Sequence, residues 1–276
     1  MAVSEVPTPT LIPGVGVGTA PTIDDDLVGT TAPAVRLAGV SKRFGPAGPT
    51  ILDGIDLTIA PGEFVCLLGA SGCGKSTLLN LIAGLEAPTS GTIDVAAPGA
   101  ALMFQEPALF PWLTARANIE LALRLRGVPR GQRRDRADAL LDLVRLSGAG
   151  DKRVHELSGG MRQRVAMARS LAQDRPVLLM DEPFAALDAI TRDLLHDELD
   201  RIWTETHRTV VFVTHNVREA VRLGQRVLLM SSRPGRIVRQ WHVHVSGERR
   251  IEAPDVSRLS VEITDHLRQE IRRHAH

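Results

Sequence analysis

The chain has 276 residues, of which 43% are hydrophobic and 24% are charged, as is typical of a globular protein with a sizeable core. Its 33 basic and 32 acidic residues leave a net charge of +1, which argues against nonspecific binding to nucleic acid. The two cysteines, Cys66 and Cys73, indicate no disulfide framework, so a reducing compartment is expected.

The beginning of the chain is low in complexity. Residues 1–34 are rich in Pro, Thr, Gly and Ala and contain no Lys or Arg, which predicts a disordered N-terminal tail. Because the first basic residue is Arg36, no signal peptide is predicted. Apolar runs such as FVCLL (64–68) are far shorter than the roughly twenty residues of a membrane-spanning helix. We therefore expect a cytoplasmic protein that reaches a membrane only through a partner.

Short apolar runs predict the strands of one domain. In chain order they are VRLAGV, ILDGIDLTI, EFVCLLG, ALMFQ (101–105), VLLMD (177–181), TVVFVT (209–214) and RVLLM (226–230). The last four are continuous and apolar, which is typical of strands buried on both faces. Helical patterns separate several of them, so we predict an α/β domain with a largely parallel central sheet.

Two further regions read as helical. Between residues 114 and 170 the pattern is mostly helical, and we interpret this region as a helical subdomain inserted into the sheet domain. After about residue 246, Leu259, Ile263, Leu267 and Ile271 recur at every fourth position and predict one amphipathic helix. We expect this helix to dock on the core of its own domain, and a regulatory contact is the alternative.

The segment GASGCGKS, residues 69–76, fits the phosphate-binding loop pattern G-x-x-x-x-G-K-S/T. Its glycines let backbone N–H groups surround phosphates, and the following helix directs its positive end at the same anion. Lys75 is expected to reach the β- and γ-phosphates, and Ser76 to ligate Mg²⁺. A strand before the loop and a helix after it support this reading over a simple tight turn.

The run VLLMDE places two carboxylates at the end of a buried strand. Asp181 is expected in the Mg²⁺ shell, and Glu182 is expected to polarise the attacking water. Taken alone, this would be an ordinary acidic turn, but the upstream P-loop favours the catalytic reading.

Two polar residues follow other strands of the sheet. Gln105 could reach the metal or the water, or it could be a surface residue. His215 follows TVVFVT at the carboxyl edge of the sheet, where ligands collect in open α/β folds. A neutral imidazole there could bridge the γ-phosphate and the water.

A second turn, LSGGM at 157–161, also has the composition of a phosphate site: a hydroxyl, two glycines and a helix. Together with the P-loop, Gln105, VLLMDEPF, the ALD of 186–188 and His215, it gives an order of motifs that resembles ABC transporter ATPase subunits over about residues 35–240.

The resemblance implies a fold and an assembly. The expected fold is an α/β P-loop NTPase (RecA-like) with a mixed sheet core, an N-terminal antiparallel β subdomain and an inserted α-helical subdomain. The ATPase domain would span 35–245, with the helical subdomain at about 106–170 and a C-terminal helical tail at 246–276. Family members form head-to-tail dimers in which each ATP lies between one P-loop and the partner's LSGG. The second phosphate turn, Ser158, Gly159 and Gly160, would therefore serve a neighbour.

The resemblance also carries over site residues one by one. Phe44 matches the aromatic that stacks on adenine, and Asp188 matches the aspartate of the dimer-interface loop. Met161 replaces the commoner Gln of the signature, with little loss of activity expected. Contacts to ATP are expected from Gly69, Ala70, Ser71, Gly72, Cys73, Gly74, Lys75, Ser76 and Thr77. Ser76, Gln105 and Asp181 would hold Mg²⁺, while Glu182, His215, Gln105 and Lys75 would act in catalysis.

FQEPALFPW and MSSRPGRIV (230–238) resemble the nitrate, sulfonate and taurine importer group. That group implies a peripheral ATPase on the cytoplasmic face of the membrane, with permease subunits as partners and an extracytoplasmic solute-binding protein acting indirectly. Phe110 and Trp112 would suit a permease-docking surface, or they could close the helical subdomain. The alternatives are a soluble ABC ATPase with a non-transport partner and a P-loop kinase. LSGG argues against the kinase, and no nucleic-acid partner is expected.

Overall fold

A computed structural model of the chain describes residues 32–45, 47–185, 187–244 and 254–273. The strands are β1 (Val35–Arg43), β2 (Thr50–Ile59), β3 (Phe64–Gly69), β4 (Ser90–Val95), β5 (Ala100–Met103), β6 (Val177–Asp181), β7 (Thr209–Val213), β8 (Arg226–Met230) and β9 (Ile237–His242). The helices are α1 (Lys75–Ile82), α2 (Ala115–Leu125), α3 (Arg130–Leu143), α4 (Gly159–Ala172), α5 (Ala189–Thr206), α6 (Val217–Leu223) and α7 (Pro254–Arg273), with a short 3₁₀ turn at Val154–Glu156.

The central sheet has six strands in the order β5-β6-β7-β3-β8-β9. The first five are parallel, and β9 pairs with β8 in the antiparallel direction, so the sheet is mixed, as expected. Because β3, β6 and β7 lie side by side, their carboxyl ends meet at one edge. The residues that follow these strands are therefore brought together in space.

The alternation of side chains along the central strands explains why both sheet faces are covered. Phe64, Cys66 and Leu68 of β3 enter one core with α4, α5 and α6, whereas Val65 and Leu67 enter a second core with α1 and the N-terminal sheet. All six residues of β3 are buried. This double burial accounts for the continuous apolar runs in the sequence.

The N-terminal sheet is antiparallel, in the order β2-β1-β4, and confirms the predicted β subdomain. Ala34, at the predicted boundary of the tail, is buried, and its N–H donates to the carbonyl of Ile59 at 2.9 Å. Residues 1–31 of the predicted tail lie outside the described residues.

The helices α2, α3 and α4 pack together, and their bounds agree with the helical pattern between 114 and 170. The predicted C-terminal helix is α7, which packs on α6 and buries Val256 and Ile263 in the domain core. Docking on its own domain is therefore confirmed. No helix in the described ranges combines the length and apolarity needed to cross a membrane.

Candidate active site

The loop between β3 and α1 has the strand–loop–helix context that the sequence predicts. Gly72 and Gly74 have φ of 76° and 103°, a region that favours glycine. A Cβ at Gly74 would lie 2.7 Å from Cδ2 of Leu52, so the close approach to the N-terminal sheet adds to the preference for glycine there. The backbone of residues 69–76 is thus fixed by the fold, with α1 beginning at Lys75.

Lys75 is buried, and its Nζ donates to the carbonyls of Gly69 at 2.9 Å and Ala70 at 3.0 Å. The ammonium group is therefore held over the loop. Cys73 lies beside it, with Sγ 3.9 Å from Nζ of Lys75. Burial raises the pKa of the Cys73 thiol, and the neighbouring ammonium only partly opposes this effect.

Asp181 ends β6 beside the P-loop. Burial raises the pKa of this carboxyl, a hydrogen bond from the Ser76 hydroxyl lowers it, and the charge of Glu182 raises it. The structure therefore brings Ser76 and Asp181 together, although the two residues are about a hundred positions apart in the chain.

Glu182 and His215 also lie side by side. Nδ1 of His215 lies 2.9 Å from Oε2 of Glu182. The backbone of Glu182 has φ of 43°, a strained conformation for a residue with a side chain, and its N–H donates to the carbonyl of Val213 at 3.0 Å. This hydrogen bond joins the ends of β6 and β7, and it therefore fixes the backbone of Glu182 relative to the strand that precedes His215.

A small cavity lies against this pair. It offers about 20 Å³ to the centre of a water molecule, which is room for roughly one water. Its walls are Glu182, Phe184, Ala185, Arg192, Thr214, His215, Asn216 and Glu219. Glu182 and His215 thus border a space of about the volume of one water molecule.

The signature turn lies at the start of α4. Oγ of Ser158 caps the helix by accepting from the N–H of Met161 at 3.2 Å. Ser158 and Gly159 are exposed, and the first turn of α4 contains no acidic residue. A helix N-terminus with an exposed hydroxyl and an exposed glycine is suited to an anion arriving from solvent.

The beginning of α5 packs beside the signature turn. A Cβ at Gly160 would lie 2.7 Å from Cγ2 of Thr191, and one at Gly159 would lie 3.7 Å from Cδ2 of Leu187. Asp188 caps α5 by accepting from the N–H of Thr191 at 2.9 Å, which lowers the pKa of its carboxyl. Asp188 and the LSGG residues therefore belong to one surface.

The remaining predicted residues lie on the same domain. Phe44 is half exposed, and Nζ of Lys42 lies 4.8 Å from the centre of its ring. Gln105 follows β5 with an exposed side chain, and its carbonyl accepts from Nε2 of Gln163 at 3.0 Å. Thr77 lies in the first turn of α1. The ligand contacts of these residues stay predictions.

The residues around Asp181 fit Mg²⁺. Mg²⁺ prefers oxygen ligands and is held in such sites by one or two protein groups plus phosphate oxygens. The Ser76 hydroxyl and the Asp181 carboxylate supply such oxygens in mutual contact, beside a phosphate-binding loop. The raised pKa of Asp181 shows that burial leaves its negative charge incompletely compensated by the protein, which a cation would correct.

Comparison with known proteins identifies the family of the chain. Residues 52–185 match the family model described as ABC transporter. The chain is 46% identical to the taurine import ATP-binding protein TauB of Mesorhizobium japonicum over 76% of this chain and 84% of the relative. It is 47% identical to the nitrate import ATP-binding protein NrtD of a Synechocystis species over 78% of this chain and 84% of the relative.

A solved structure is also similar. It is a dimeric post-hydrolysis state of the ATP-binding cassette MJ0796 bound to ADP and phosphate, with a TM-score of 0.67 and 33% identity over 77% of this chain and all of that one. With the P-loop, the acidic strand end and the signature turn all in place, the chain belongs to the ABC transporter family, as one of its ATP-hydrolysing, ATP-binding subunits.

Proposed function

We propose that the chain is the ATPase subunit of an importer that takes up a small solute, such as a sulfonate, taurine or nitrate, through a separate membrane permease. The observation that carries the proposal is the presence of the P-loop, Asp181 and Glu182 together with an exposed aromatic groove, in a chain whose relatives are named as taurine and nitrate import proteins. The protein would act at the cytoplasmic face of the membrane as a peripheral subunit, with a solute-binding protein outside the membrane acting indirectly.

The catalytic roles follow from the geometry of the site. Lys75 and the P-loop N–H groups hold the phosphates, while Ser76, Asp181 and Gln105 hold Mg²⁺, which supplies charge neutralisation when bound. Glu182 accepts the proton of the attacking water, and His215, 2.9 Å from its carboxylate, holds that carboxylate and the water in line. Phe44 stacks on the adenine.

The signature turn is proposed to act in a second copy of the chain. Each P-loop surrounds its nucleotide from one side, and the exposed end of α4 offers the partner's γ-phosphate an N-terminal helix dipole. The dimeric state of the related cassette MJ0796 supports such an assembly. ATP hydrolysis would then be tied to closure of the interface between the copies.

The groove for the permease lies between β5 and the helices α2 and α4. It has a volume of about 540 Å³. Its wall contains the exposed residues Phe104, Phe110 and Leu125. Trp112, which is 67% exposed, lies beside this wall, with its ring centre 5.5 Å from that of Phe110 and the two ring planes inclined at 50°. Clustered exposed aromatic side chains of this kind are typical of protein docking surfaces. Because Gln105 follows Phe104 directly, a permease segment in the groove would contact the chain next to the proposed metal ligand.

Purification of the tagged protein from detergent-solubilised native membranes tests the proposal. We expect a polytopic permease to copurify, and we expect Trp112→Ser to weaken its recovery without changing MgATP binding by the soluble protein. Leu85→Ser, an exposed apolar position outside the groove, is the matched control and should leave recovery unchanged. Recovery of ribosomal or DNA-repair proteins instead would overturn the transport role and leave the ATPase chemistry standing.

A further inference from the structure

A buried polar cluster lies next to Glu182 and His215, and none of its residues has a role in the proposed mechanism. It joins His196 of α5, Glu219 of α6 and Thr214, which follows β7. His196 and Thr214 are 2% exposed and Glu219 is 6% exposed. Burying three polar side chains in an apolar core is costly unless each finds a partner, so this cluster needs an explanation.

Within the cluster, the Glu219 carboxylate is held at both of its oxygens. Oε1 lies 2.5 Å from Nε2 of His196, and Oε2 accepts from the hydroxyl of Thr214. On the other side of the ring, Nδ1 of His196 lies 3.5 Å from Nη1 of Arg222 and 3.7 Å from Oδ1 of Asp193. The three elements that carry these groups are therefore tied together by directed polar contacts.

The cluster reaches the catalytic pair through one residue. Thr214 directly precedes His215, and its hydroxyl also accepts from the N–H of Asn216 at 3.0 Å. The hydroxyl thus fixes the backbone on both sides of His215. Thr214 and Glu219 line the same small cavity as Glu182 and His215.

The cluster also reaches the proposed dimer interface. The ring of His196 packs against that of Phe184 at 5.6 Å, and Phe184 follows Glu182 by two positions. His196 lies on α5, the helix that Asp188 caps beside the signature turn. A shift of α5 would therefore displace Glu219 and change the position of the backbone at His215.

We propose that Glu219, held between Thr214 and His196, is a positioning residue that fixes His215 beside Glu182 and couples the position of α5 to that pair. Its carboxylate contacts Thr214 and His196, and it acts through His215. The inference rests on the proposed catalytic roles of Glu182 and His215.

Two threonines, one that begins β7 and one that directly follows it, make the test specific. Thr214→Val removes the hydroxyl that binds Glu219, while Thr214→Ser keeps it. Thr209, the first residue of β7, is equally buried, and its hydroxyl accepts from the N–H of Gly62 at 2.9 Å, so Thr209→Val removes a part-buried hydrogen bond at the end of the strand away from His215.

We expect Thr214→Val to lower kcat for ATP by about 10-fold with little change in KM, since small displacements of catalytic groups cost up to about 100-fold. Thr214→Ser should restore most of the rate, and His196→Leu should behave like Thr214→Val, whereas His196→Gln, which can still donate to Glu219, should not. Thr209→Val should lower the melting temperature and leave kcat unchanged. Equal kcat in Thr214→Val and Thr209→Val would overturn the inference.

A second readout does not depend on turnover. The imidazole NMR signals of His215, assigned with His215→Gln, should shift in Thr214→Val and stay in place in Thr209→Val. An unshifted His215 signal in Thr214→Val would also overturn the inference. Failure of the proposed function looks different: the wild-type protein would not release phosphate from ATP, or Glu182→Gln would keep the wild-type rate.

Discussion

The P-loop, residues 69–76, and the signature turn, residues 157–161, have similar glycine-rich sequences but are held in different ways. The P-loop lies between a fully buried strand and α1, and its Lys75 is buried against backbone carbonyls. The signature turn presents Ser158 and Gly159 to solvent at the end of α4. The first is partly buried inside one chain, and the second is an exposed helix N-terminus that faces outward, as the proposed contact with a second copy requires.

The largest expected effect is a loss of ATP hydrolysis with ATP binding retained, caused by a substitution next to the P-loop. Glu182→Gln should lower kcat by about 10²–10⁴-fold, because the amide cannot accept the proton of the attacking water. Binding of MgATP should remain, since both phosphate turns are intact. Phosphate-release assays and a fluorescent ATP analogue measure the two quantities, and near-normal turnover would refute the role of Glu182.

The next largest effect is a loss of ATP affinity on removal of the aromatic ring proposed to stack on the adenine base. Phe44→Ala should weaken ATP binding roughly 5- to 150-fold, in line with the ~1–3 kcal/mol of an aromatic ring stacked on a base. Phe44→Tyr keeps the π face and is the matched control. Calorimetric titration of the monomer with ATP checks this, and equal affinities for Phe44→Ala and the wild type would remove Phe44 from the site.

Thiol labelling compares the exposure of the two turns directly. Burial raises the pKa of Cys73, so its labelling by iodoacetamide should be slow at pH 7 and should keep rising to higher pH than for an ordinary thiol. A cysteine introduced by Ser158→Cys is exposed at a helix N-terminus and should react at least about 10-fold faster at pH 7. Peptide mass spectrometry follows each site separately. Faster labelling of Cys73 would contradict the difference in burial described above.

The smallest expected effect lies away from both turns, before β6. Asp174 accepts from Nη2 of Arg208 at 2.8 Å, and this hydrogen bond lowers the pKa of its carboxyl. The stability it contributes is present above its ordinary pKa of 3.8 and is lost as the pH falls through the lower folded value.

Because this side chain is half exposed, Asp174→Asn should cost less than about 1 kcal/mol of unfolding free energy at pH 7, and the difference should vanish at low pH. Urea unfolding at a series of pH values measures it. ATP binding should not change, and a changed affinity would mean that loss of stability alone can imitate a defect at either turn.

The parts of the site carried by short local motifs were predictable from the sequence. The P-loop, Asp181 with Glu182, and His215 each follow an apolar strand, and the parallel sheet brings their carboxyl ends to one edge. The buried residues that position Glu182 and His215 in the further inference could not be predicted in this way. His196 and Glu219 meet across 23 positions from two helices, and no local spacing marks that contact.

The strands that the sequence did not predict have a common physical character. In β4 no residue is fully buried, and β9, the antiparallel edge strand, is likewise exposed or only half buried. Without an apolar run or a clear alternation, neither segment carries the signal that identified the central strands. The positive φ of Glu182 also left no trace in the sequence, because it follows from how the end of β6 is tied to β7.

The most direct test of the outward role of the signature turn is the mass of the ATP-bound protein in light scattering. Glu182→Gln with MgATP should form a dimer, and adding Gly159→Asp should abolish it, because the new carboxylate would face the partner's phosphates. The fold should tolerate this change, since Gly159 is open to solvent and an acidic residue in the first turn of a helix stabilises it by about 0.3–1 kcal/mol. Gly159→Ala is the control that should still dimerise.

The ATP affinity of the monomer shows whether the signature turn contacts the nucleotide of its own chain or that of a second copy. We expect the Gly159→Asp monomer to bind ATP as tightly as the monomer without this substitution. A loss of ATP affinity in that monomer, or an undiminished dimer, would contradict the claim that the signature turn serves a second copy of the chain.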